Sequence, residues 1–510
     1  MYSKILNYII GKFTLFALLV LFSNNCLAQI EKGDKLFEDY KYAQAIIMYK
    51  PFAENGNIRA IRKIAECYRK INDYVNAEKY FELVVKDDKA LPKTYLYYGQ
   101  SLMNNGKYEE AKIWLKKYIS TKPEEENVLA KNLLESCNKA NDIRSVDRKV
   151  ALKLIKGLNS STSDFCAVPY EDGLLFTSTR EGKFNGTSGA SYQKVFYAKM
   201  SNDSAVFIEP IKGVVNIKNY NSGPACIDTA QDLIYFTKNN FQYGDAITNK
   251  KGDVTLKIFS AKKSRDGWKD IKELEFNDVE YSCAFPSINK QGTVIYFTSD
   301  RGGGYGGKDI YYATFLNGKW SSPKNAGKNV NTPGDERYPF IHADGNLYFS
   351  STGFQGFGGM DIFRCSSNKL GEFGKVENMG LPFNSPTDDF GFYLDDNYNR
   401  GYFSSDRSGG VGMDDIYAFD YINIPFELNV YCDGKPSNNI KIKIVKDSSY
   451  TLSDSIYSSK SNFELNVNTH YLYTIAKDGY TTERVNVQTK KSKKPVVTTI
   501  NLVAIKKEEN

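Results

Sequence analysis

Histidine is nearly absent from the 510-residue sequence, which contains only His342 and His470. Two histidines cannot supply a multi-histidine metal site, and they disfavour a catalytic triad in which histidine is the base. Tryptophan is also rare, with 3 residues. No stretch beyond the N-terminal region approaches the roughly 18 uninterrupted apolar residues that a membrane-spanning helix needs. The composition therefore argues against a multi-histidine metalloenzyme and against internal membrane helices.

Closely spaced cysteines are missing as well. The chain has 8 cysteines, which lie far apart and form no C-x-x-C pair. A disulfide scaffold usually has an even number of close cysteines in a short chain. We therefore expect most of the thiols to be buried apolar residues, with one incidental bridge as the alternative. A formal net charge of +7 is too small for a chain of this length to indicate a nucleic-acid partner.

The N-terminus has the features of an export signal. Lys4 and Lys12 provide its positive charge, residues 13–22 form a short apolar run, and residues 26–28 offer small residues for cleavage. Residues 1–28 are predicted to be a signal peptide, cleaved after Ala28, which places the mature chain in the periplasm. Lipid attachment at Cys26, with association to the outer membrane, is the alternative.

Three segments share a polar-Tyr-x-x-Ala frame whose alanines, Ala45, Ala77 and Ala111, lie 32 and 34 residues apart. The spacing resembles the tetratricopeptide repeat, a helix pair of about 34 residues. Residues 29–143 are predicted to form such an array with a capping helix. The resemblance implies a concave surface that binds protein segments, and our candidate binding residues there are Tyr68, Tyr95 and Tyr98. The alternative is that the array only packs against the next domain.

A second repeat follows in the middle of the chain. A Y-F-x-S strand recurs at 296–299, 348–351 and 402–405, each followed by a glycine-rich loop and a D-I-Y/F strand; two looser copies precede them. Repeated strand quartets predict propeller blades. The pattern F-x-S-D-R-x-G-G…D-I-Y resembles the WD40-like PD40 family of exported propellers. We therefore predict a five-bladed β-propeller over residues 148–422.

Connectors between the repeats predict how the ring closes. Residues 331–335 (N-T-P-G-D) recur as 384–388 (N-S-P-T-D), and a degenerate form at 159–164 precedes the first blade. The segment 148–158 is therefore predicted to be the outer strand of the fifth blade, where it closes the ring and removes an exposed sheet edge.

The glycine-rich loops, such as 302–307 and 356–359, join two strands instead of a strand and a helix. They are predicted to be hairpin turns and not phosphate-binding loops. The aspartates beside them are expected to bond backbone amides or Arg301 and Arg407, with calcium binding as the alternative. Arg301 and Arg407 are also our candidates for protein binding on the propeller.

Beyond Pro425, short runs alternate apolar and polar residues, which predicts antiparallel strands with one buried face. Residues 476–487 resemble part of the carboxypeptidase regulatory-like domain, a β-sandwich without an active site of its own, and we assign residues 425–505 to it. The zinc peptidase that sometimes accompanies this module needs an H-x-x-E pair, which neither histidine provides. His342 is interpreted as an exposed residue of a turn between two strands.

The predicted fold class is thus multidomain α + β, with an N-terminal α-helical tetratricopeptide array, a five-bladed β-propeller and a C-terminal β-sandwich. This order of modules resembles the PorE-like periplasmic proteins of the type IX secretion apparatus, which are often grouped with the OmpA family. Members usually end in an OmpA-type domain that binds peptidoglycan. The sequence stops at Asn510 without such a domain, so peptidoglycan binding is not expected.

The function favoured by these observations is that of a non-enzymatic adaptor. The sequence has no G-x-S-x-G nucleophile motif and only one broken Asp box, at 264–268, so we predict no catalytic residue, no metal and no cofactor. Outer-membrane or secretion-complex proteins are the expected partners, and no nucleic-acid partner is expected. The chain itself is predicted to have no transmembrane span. A glycan-binding propeller is the alternative, because exposed Tyr and Phe could stack on sugars; an enzyme is the third hypothesis.

Overall fold

The computed structural model describes residues 29–39, 41–121, 127–144, 150–180, 191–217, 220–242, 245–367, 372–446, 450–466, 469–489 and 496–505. The predicted signal peptide at 1–28, with Cys26, lies outside these residues. Within them, the chain runs from seven helices into a large β-rich, propeller-like region and then into two further sheets.

The seven helices form an array in which each helix packs against the next along the chain. Two of them begin at side-chain caps, because Asn57 and Asp73 accept hydrogen bonds from backbone N–H groups of the first turn. The helices are α1 (29–38), α2 (Tyr42–Glu54), α3 (Ile58–Lys70), α4 (Tyr74–Val84), α5 (Pro92–Asn104), α6 (Tyr108–Ser120) and α7 (Val128–Arg144).

Small residues set the spacing of this array. Ala45, Ala77 and Ala111, which define the repeat frame in the sequence, are fully buried. A Cβ atom on Gly99 would lie 2.9 Å from the side chain of Leu115. Only small side chains fit where two helices approach so closely. The predicted helical repeat array is therefore confirmed.

Five sheets follow, which we number 1 to 5 in chain order. Sheet 1 contains β2 (Asp164–Tyr170), β3 (Gly173–Ser178), β4 (Lys194–Ser201) and β5 (Ser204–Pro210). Sheet 2 contains β6 (Ser222–Asp228), β7 (Leu233–Asn239), β10 (Leu256–Ser264) and β11 (Gly267–Glu273), with a small hairpin of β8 (Phe241–Gln242) and β9 (Asp245–Ala246) between them. Sheet 3 contains β12 (Cys283–Ile288), β13 (Val294–Ser299), β14 (Asp309–Leu316), β15 (Lys319–Trp320) and β16 (Lys324–Asn325).

Sheet 4 contains β17 (Glu336–Ile341), β18 (Leu347–Ser351), β19 (Asp361–Ser367) and β20 (Phe373–Asn378). Sheet 5 contains β21 (Asp389–Leu394), β22 (Arg400–Ser405), β23 (Asp415–Tyr421) and β1 (Val150–Leu154), which arrives from the other end of the region and pairs antiparallel with β23. The first strands of the five sheets contact one another in the cyclic order β2, β6, β12, β17, β21 and back to β2. We call sheets 1 to 5 the sheet ring.

One asparagine per sheet ties each connector of the ring to a neighbouring strand. The asparagine side chain accepts a hydrogen bond from the backbone N–H of one strand residue and donates to the C=O of the same residue, at 2.7–3.1 Å. The pairs are Asn216 with Val195, Asn277 with Ile258, Asn331 with Ile310, Asn384 with Ile362, and Asn159 with Ile416. The last pair joins the start of the region to its last sheet.

The C-terminal residues form two further sheets. Sheet 6 contains β24 (Asn423–Cys432), β25 (Lys435–Pro436), β28 (Lys460–Asn466) and β31 (Val496–Leu502), and sheet 7 contains β26 (Ile440–Lys446), β27 (Tyr450–Tyr457), β29 (His470–Ala476) and β30 (Glu483–Gln488). Leu428, Ile442 and Tyr473 belong to one buried cluster shared by both sheets. Pro425 lies inside β24 instead of at a boundary, because β24 begins two residues after β23 ends.

Candidate functional site

The helical array is joined to the sheet ring by side-chain hydrogen bonds. In the turn between α3 and α4, the Asn72 amide donates to the Asp388 carboxylate of sheet 5 over 2.8 Å. On α7, Asn132 donates to the carbonyl oxygen of Gly353 over 3.0 Å, and the Ser136 hydroxyl accepts from the N–H of Gly356 over 3.1 Å. The array and the ring therefore share an interface.

Glycine allows this close approach. A Cβ atom on Gly358 would lie 1.9 Å from the carbonyl oxygen of Pro386 and 2.8 Å from Oδ1 of Asn104. A Cβ atom on Gly353 would lie 1.8 Å from the Thr332 hydroxyl. The loop between β18 and β19 is a connection between two strands, as predicted from the sequence. Its contact with α7 was not predicted.

A cavity of about 630 Å³ lies at this interface, and we call it the junction cavity. The array contributes residues from α2, α3, α4, α5 and α7 and from the turn between α3 and α4. Among them are Arg69, Lys70, Asn72, Tyr74, Gln100 and Asn104. The sheet ring contributes an aromatic group and charged residues, among them Phe165, Arg337, Tyr338, Asp388, Phe390 and Asp414. Pockets of about 300–1,000 Å³ are typical of ligand sites.

The ring side of the cavity carries the buried carboxyl groups of Asp388 and Asp414, and Asp406, which is not a lining residue, neighbours Asp388. Burial raises the pKa of Asp388, and the N–H of Met360 and the charge of Arg337 oppose that rise. Burial also raises the pKa of Asp406, to which the adjacent charge of Asp388 adds, and the pKa of Asp414. These carboxyls therefore hold protons more tightly than exposed aspartates do.

The opposite side of the cavity is cationic. Burial and the neighbouring charges of Arg69 and Lys308 lower the pKa of the Lys70 ammonium group. The guanidinium group of Arg69 lies 3.9 Å from the centroid of the Tyr97 ring. The third cation of the cavity, Arg337, lies on the ring side and forms an ion pair with Asp335. Within the described part of the chain, no carboxylate forms an ion pair with Arg69 or Lys70.

The sequence-predicted binding residues of the array lie in its packing interfaces. Tyr95 and Tyr98 are buried against Trp114, with ring centroids 5.8 and 5.2 Å away. Tyr68 stacks on Tyr80 at 5.6 Å. The structure brings none of the three to the junction cavity, and their role in partner binding stays a prediction.

The two candidate arginines of the ring are engaged in internal contacts. Arg407 donates to the carboxylate of Asp389 over 2.6 Å and to the carbonyl oxygen of Phe383 over 2.7 Å. Arg301 donates to the Ser299 hydroxyl over 3.2 Å and lies 3.2 Å from the sulfur atom of Cys283. Partner binding by these arginines stays a prediction as well.

The aspartates beside the glycine-rich loops bond backbone amides, as predicted. Asp309 accepts from the N–H groups of Tyr305 and Gly306, and Asp415 accepts from those of Val411 and Gly412. Asp361 accepts from the N–H of Phe357 in the same way. Among the described residues, no group of three or more His, Cys, Asp or Glu is arranged to hold a metal ion.

The expectation that His342 is exposed was wrong. Its side chain is buried, with Nδ1 2.8 Å from the Asp344 carboxylate and Nε2 3.1 Å from the carbonyl oxygen of Asp395. The Tyr398 ring packs 4.5 Å from the imidazole and its hydroxyl also bonds Asp344. The turn of sheet 4 is covered by the turn of sheet 5, which sequence spacing alone does not reveal.

Comparison with known proteins identifies one short segment. Residues 92–125 match the tetratricopeptide repeat family. No curated protein matches the chain. None of the helices in the described ranges is both long and apolar enough to cross a membrane.

Three solved structures are similar to parts of this chain. The first tetratricopeptide unit of Spaghetti (RPAP3), bound to an HSP90 peptide, is 28% identical over 24% of this chain and 95% of that chain, with a TM-score of 0.22. A puromycin-hydrolysing peptidase of Mycobacterium tuberculosis is 8% identical over 49% of this chain, with a TM-score of 0.29, and the match spans only 35% of the peptidase. Zg3597, a family 117 glycoside hydrolase of Zobellia galactanivorans, is 10% identical over 54% of this chain and 91% of that chain, with a TM-score of 0.35. None of these likenesses assigns an activity.

Proposed function

We propose that the protein is a non-enzymatic adaptor of the cell envelope that binds protein partners through its helical array and its sheet ring. In this proposal the sheet ring is a five-bladed propeller closed by β1, and sheets 6 and 7 form a sandwich. The pairing of β1 with β23 and the contact of Asn159 with Ile416 support closure. The resemblance of the module order to PorE-like proteins supports a periplasmic place beside the type IX secretion apparatus.

One observation carries the proposal. The array that contains the tetratricopeptide match is joined to the ring by hydrogen bonds of Asn72, Asn132 and Ser136. A tetratricopeptide repeat points to protein partners. This connection favours a role in binding. If the array and the ring keep their relative positions, a partner that contacts both does not have to pay the entropy of ordering a flexible linker.

Affinity capture from solubilised cell envelopes tests this function. The tagged mature chain is compared with a variant of the array's exposed apolar residues, Ile47→Ser, Val75→Ser and Ile113→Ser. A matched control changes exposed apolar residues of sheets 7 and 6, Ile456→Ser and Val497→Ser. We expect outer-membrane secretion components to be recovered with the mature chain and the control and to be depleted with the array variant. Recovery of sugar polymers alone would contradict the adaptor and favour a glycan-binding protein.

A further inference from the structure

Two groups of like charge face the junction cavity from opposite sides. Arg69 and Lys70 belong to α3, whereas Asp388 and Asp414 belong to the sheet ring. Within the described residues, no ion pair joins the first group to the second. Asp388 bonds the Asn72 amide and the N–H of Met360, both uncharged. Arg337 and Asp335, which pair with each other, also line the cavity and act as partial counter-charges, Arg337 on Asp388 and Asp335 on Lys70. Among the described residues, however, Arg69, Lys70, Asp388 and Asp414 have no ion-pair partner of their own, so an occupant that brings both signs of charge would stabilise them.

Unsatisfied buried polar atoms of the same cavity give an independent indication of an occupant. Asn104 is 6% exposed, and its Oδ1 atom has no hydrogen-bond partner among the described residues. The same holds for Oε1 of Gln100 and for Nε of Arg69 and Arg337. Buried polar atoms in folded proteins nearly always have partners. Residues that line one cavity thus hold two acceptors and two donors without partners, and a peptide carries both the N–H and the C=O groups that such atoms bond.

We propose that the junction cavity binds a zwitterionic peptide ligand, with a carboxylate of the ligand against Arg69 and Lys70 and a cationic group of the ligand against Asp388 and Asp414. Its backbone groups satisfy the amides of Gln100 and Asn104. This inference rests on the proposed function in so far as the peptide belongs to a protein partner. A neutral sugar would satisfy the amides but would give neither group of charges an ion-pair partner, so the charges favour a peptide over a glycan.

Calorimetric titration of the full mature chain with short synthetic probes tests the ligand class. The charged probe is acetyl-Lys-Gly-Gly-Glu-amide, its neutral analogue is acetyl-Gln-Gly-Gly-Gln-amide, and maltotriose represents a neutral glycan. We expect the charged probe to bind at least about tenfold more tightly than the neutral one, with the difference reduced by salt. Unblocked tetraglycine against its acetylated amide shows whether the termini of a peptide serve equally well. Equal affinity within both pairs, or binding of maltotriose alone, overturns the proposal.

Charge-neutral variants locate the site. Asp414→Asn and Lys70→Gln should each weaken binding of the charged probe about tenfold, whereas Asp266→Asn and Lys250→Gln, which alter exposed residues of the sheet 2 region, should not. Thermal unfolding checks that each variant is folded, and Lys70→Gln, at a helix-terminal position that solvent reaches, keeps the test available if Asp414→Asn is unstable. Unchanged probe affinity in folded Lys70→Gln contradicts the assigned position. Partner capture that persists without any probe binding overturns this inference alone, whereas probe binding without partner capture overturns the adaptor.

Discussion

Sheets 4 and 5 are neighbours built from the same repeat, yet they satisfy the buried acid at the start of their first strand in different ways. In sheet 5, the fully buried carboxylate of Asp389 accepts from Arg407 over 2.6 Å. In sheet 4, the equivalent Glu336 accepts only from neutral donors, which are the N–H and hydroxyl of Thr332 and the hydroxyl of Ser351. The place of the arginine, two residues after the last residue of the second strand, is taken by Gly353.

The glycine of sheet 4 goes together with a contact to the helical array. Gly353 is where α7 rests, because Asn132 donates to its carbonyl oxygen. A side chain there would collide with Thr332. Sheet 4 thus has a glycine that contacts the helical array at the position where sheet 5 has the arginine of an internal ion pair. Burial raises the pKa of Glu336 to about 7, whereas at Asp389 the charge of Arg407 opposes the effect of burial.

Removal of the arginine from sheet 5 should have the largest effect on this comparison. Arg407→Ala leaves the carboxylate of Asp389 buried without its cation, and it also deprives the carbonyl oxygens of Pro382 and Phe383 of a donor. Breaking a buried pair in this way costs about 3–5 kcal/mol of unfolding free energy. Urea denaturation at pH 7 measures it, with Lys269→Ala on the exposed hairpin of sheet 2 as control. A loss as small as that of the control would mean that the ion pair does not stabilise sheet 5.

Sheet 4 should instead respond to pH. The pKa of Glu336 is about 7 in the folded chain and near its ordinary value of 4.5 in the unfolded chain. The folded state therefore loses stability as pH rises from 4.5 to 7, by about 3 kcal/mol at 1.4 kcal/mol for each pKa unit. Glu336→Gln cannot ionise, so its unfolding free energy should rise relative to the natural chain by about that amount across this window.

The measurement is the difference in unfolding free energy between the two chains at several pH values. Glu275→Gln, at an exposed position, controls for the loss of one carboxyl group. A difference that stays constant between pH 4.5 and 7 would show that Glu336 ionises as freely as an exposed glutamate, and the contrast with sheet 5 would disappear.

The asparagine contacts, in contrast, are the same in both sheets and should cost the same when removed. Asn331 and Asn384 each make two hydrogen bonds to one strand residue, Ile310 and Ile362. Replacement of either asparagine by alanine should lower the unfolding free energy by about 2 kcal/mol, since it leaves buried backbone groups without hydrogen-bond partners. Parallel denaturation of Asn331→Ala and Asn384→Ala checks this, with Asn486→Ala at an exposed position of β30 as reference. Costs that differ by more than about twofold would show that the two connectors are not equivalent.

The repeats in the sequence predicted the structural role of a residue correctly wherever the same residue type makes the same contact in every copy. The buried alanines of the helices and the amide-bonding aspartates of the loops were predicted in this way. The asparagine contacts could be predicted only where the connector motif is intact. Asn216 and Asn277 make the same contacts within unrelated local sequence. The junction cavity was not predicted, because its residues come from helices and sheets far apart in the chain and no local pattern joins them. The one local sign of helix docking was the glycine at 353, where related copies have arginine.

The smallest expected effect concerns that docking contact. Asn132→Ala removes the hydrogen bond to Gly353 but suits the interior of α7, so the loss of stability should be only about 1 kcal/mol. Hydrogen exchange should locate the effect. We expect the backbone amides of α7 to exchange faster, with little change in β21 to β23. Lys131→Ala, one residue earlier on the same helix, is the matched control. If the contact with α7 stabilises the loop of Gly353, exchange must become faster on both sides of the contact, in α7 and in that loop. Faster exchange in α7 alone would mean that the loop holds its conformation independently of the array.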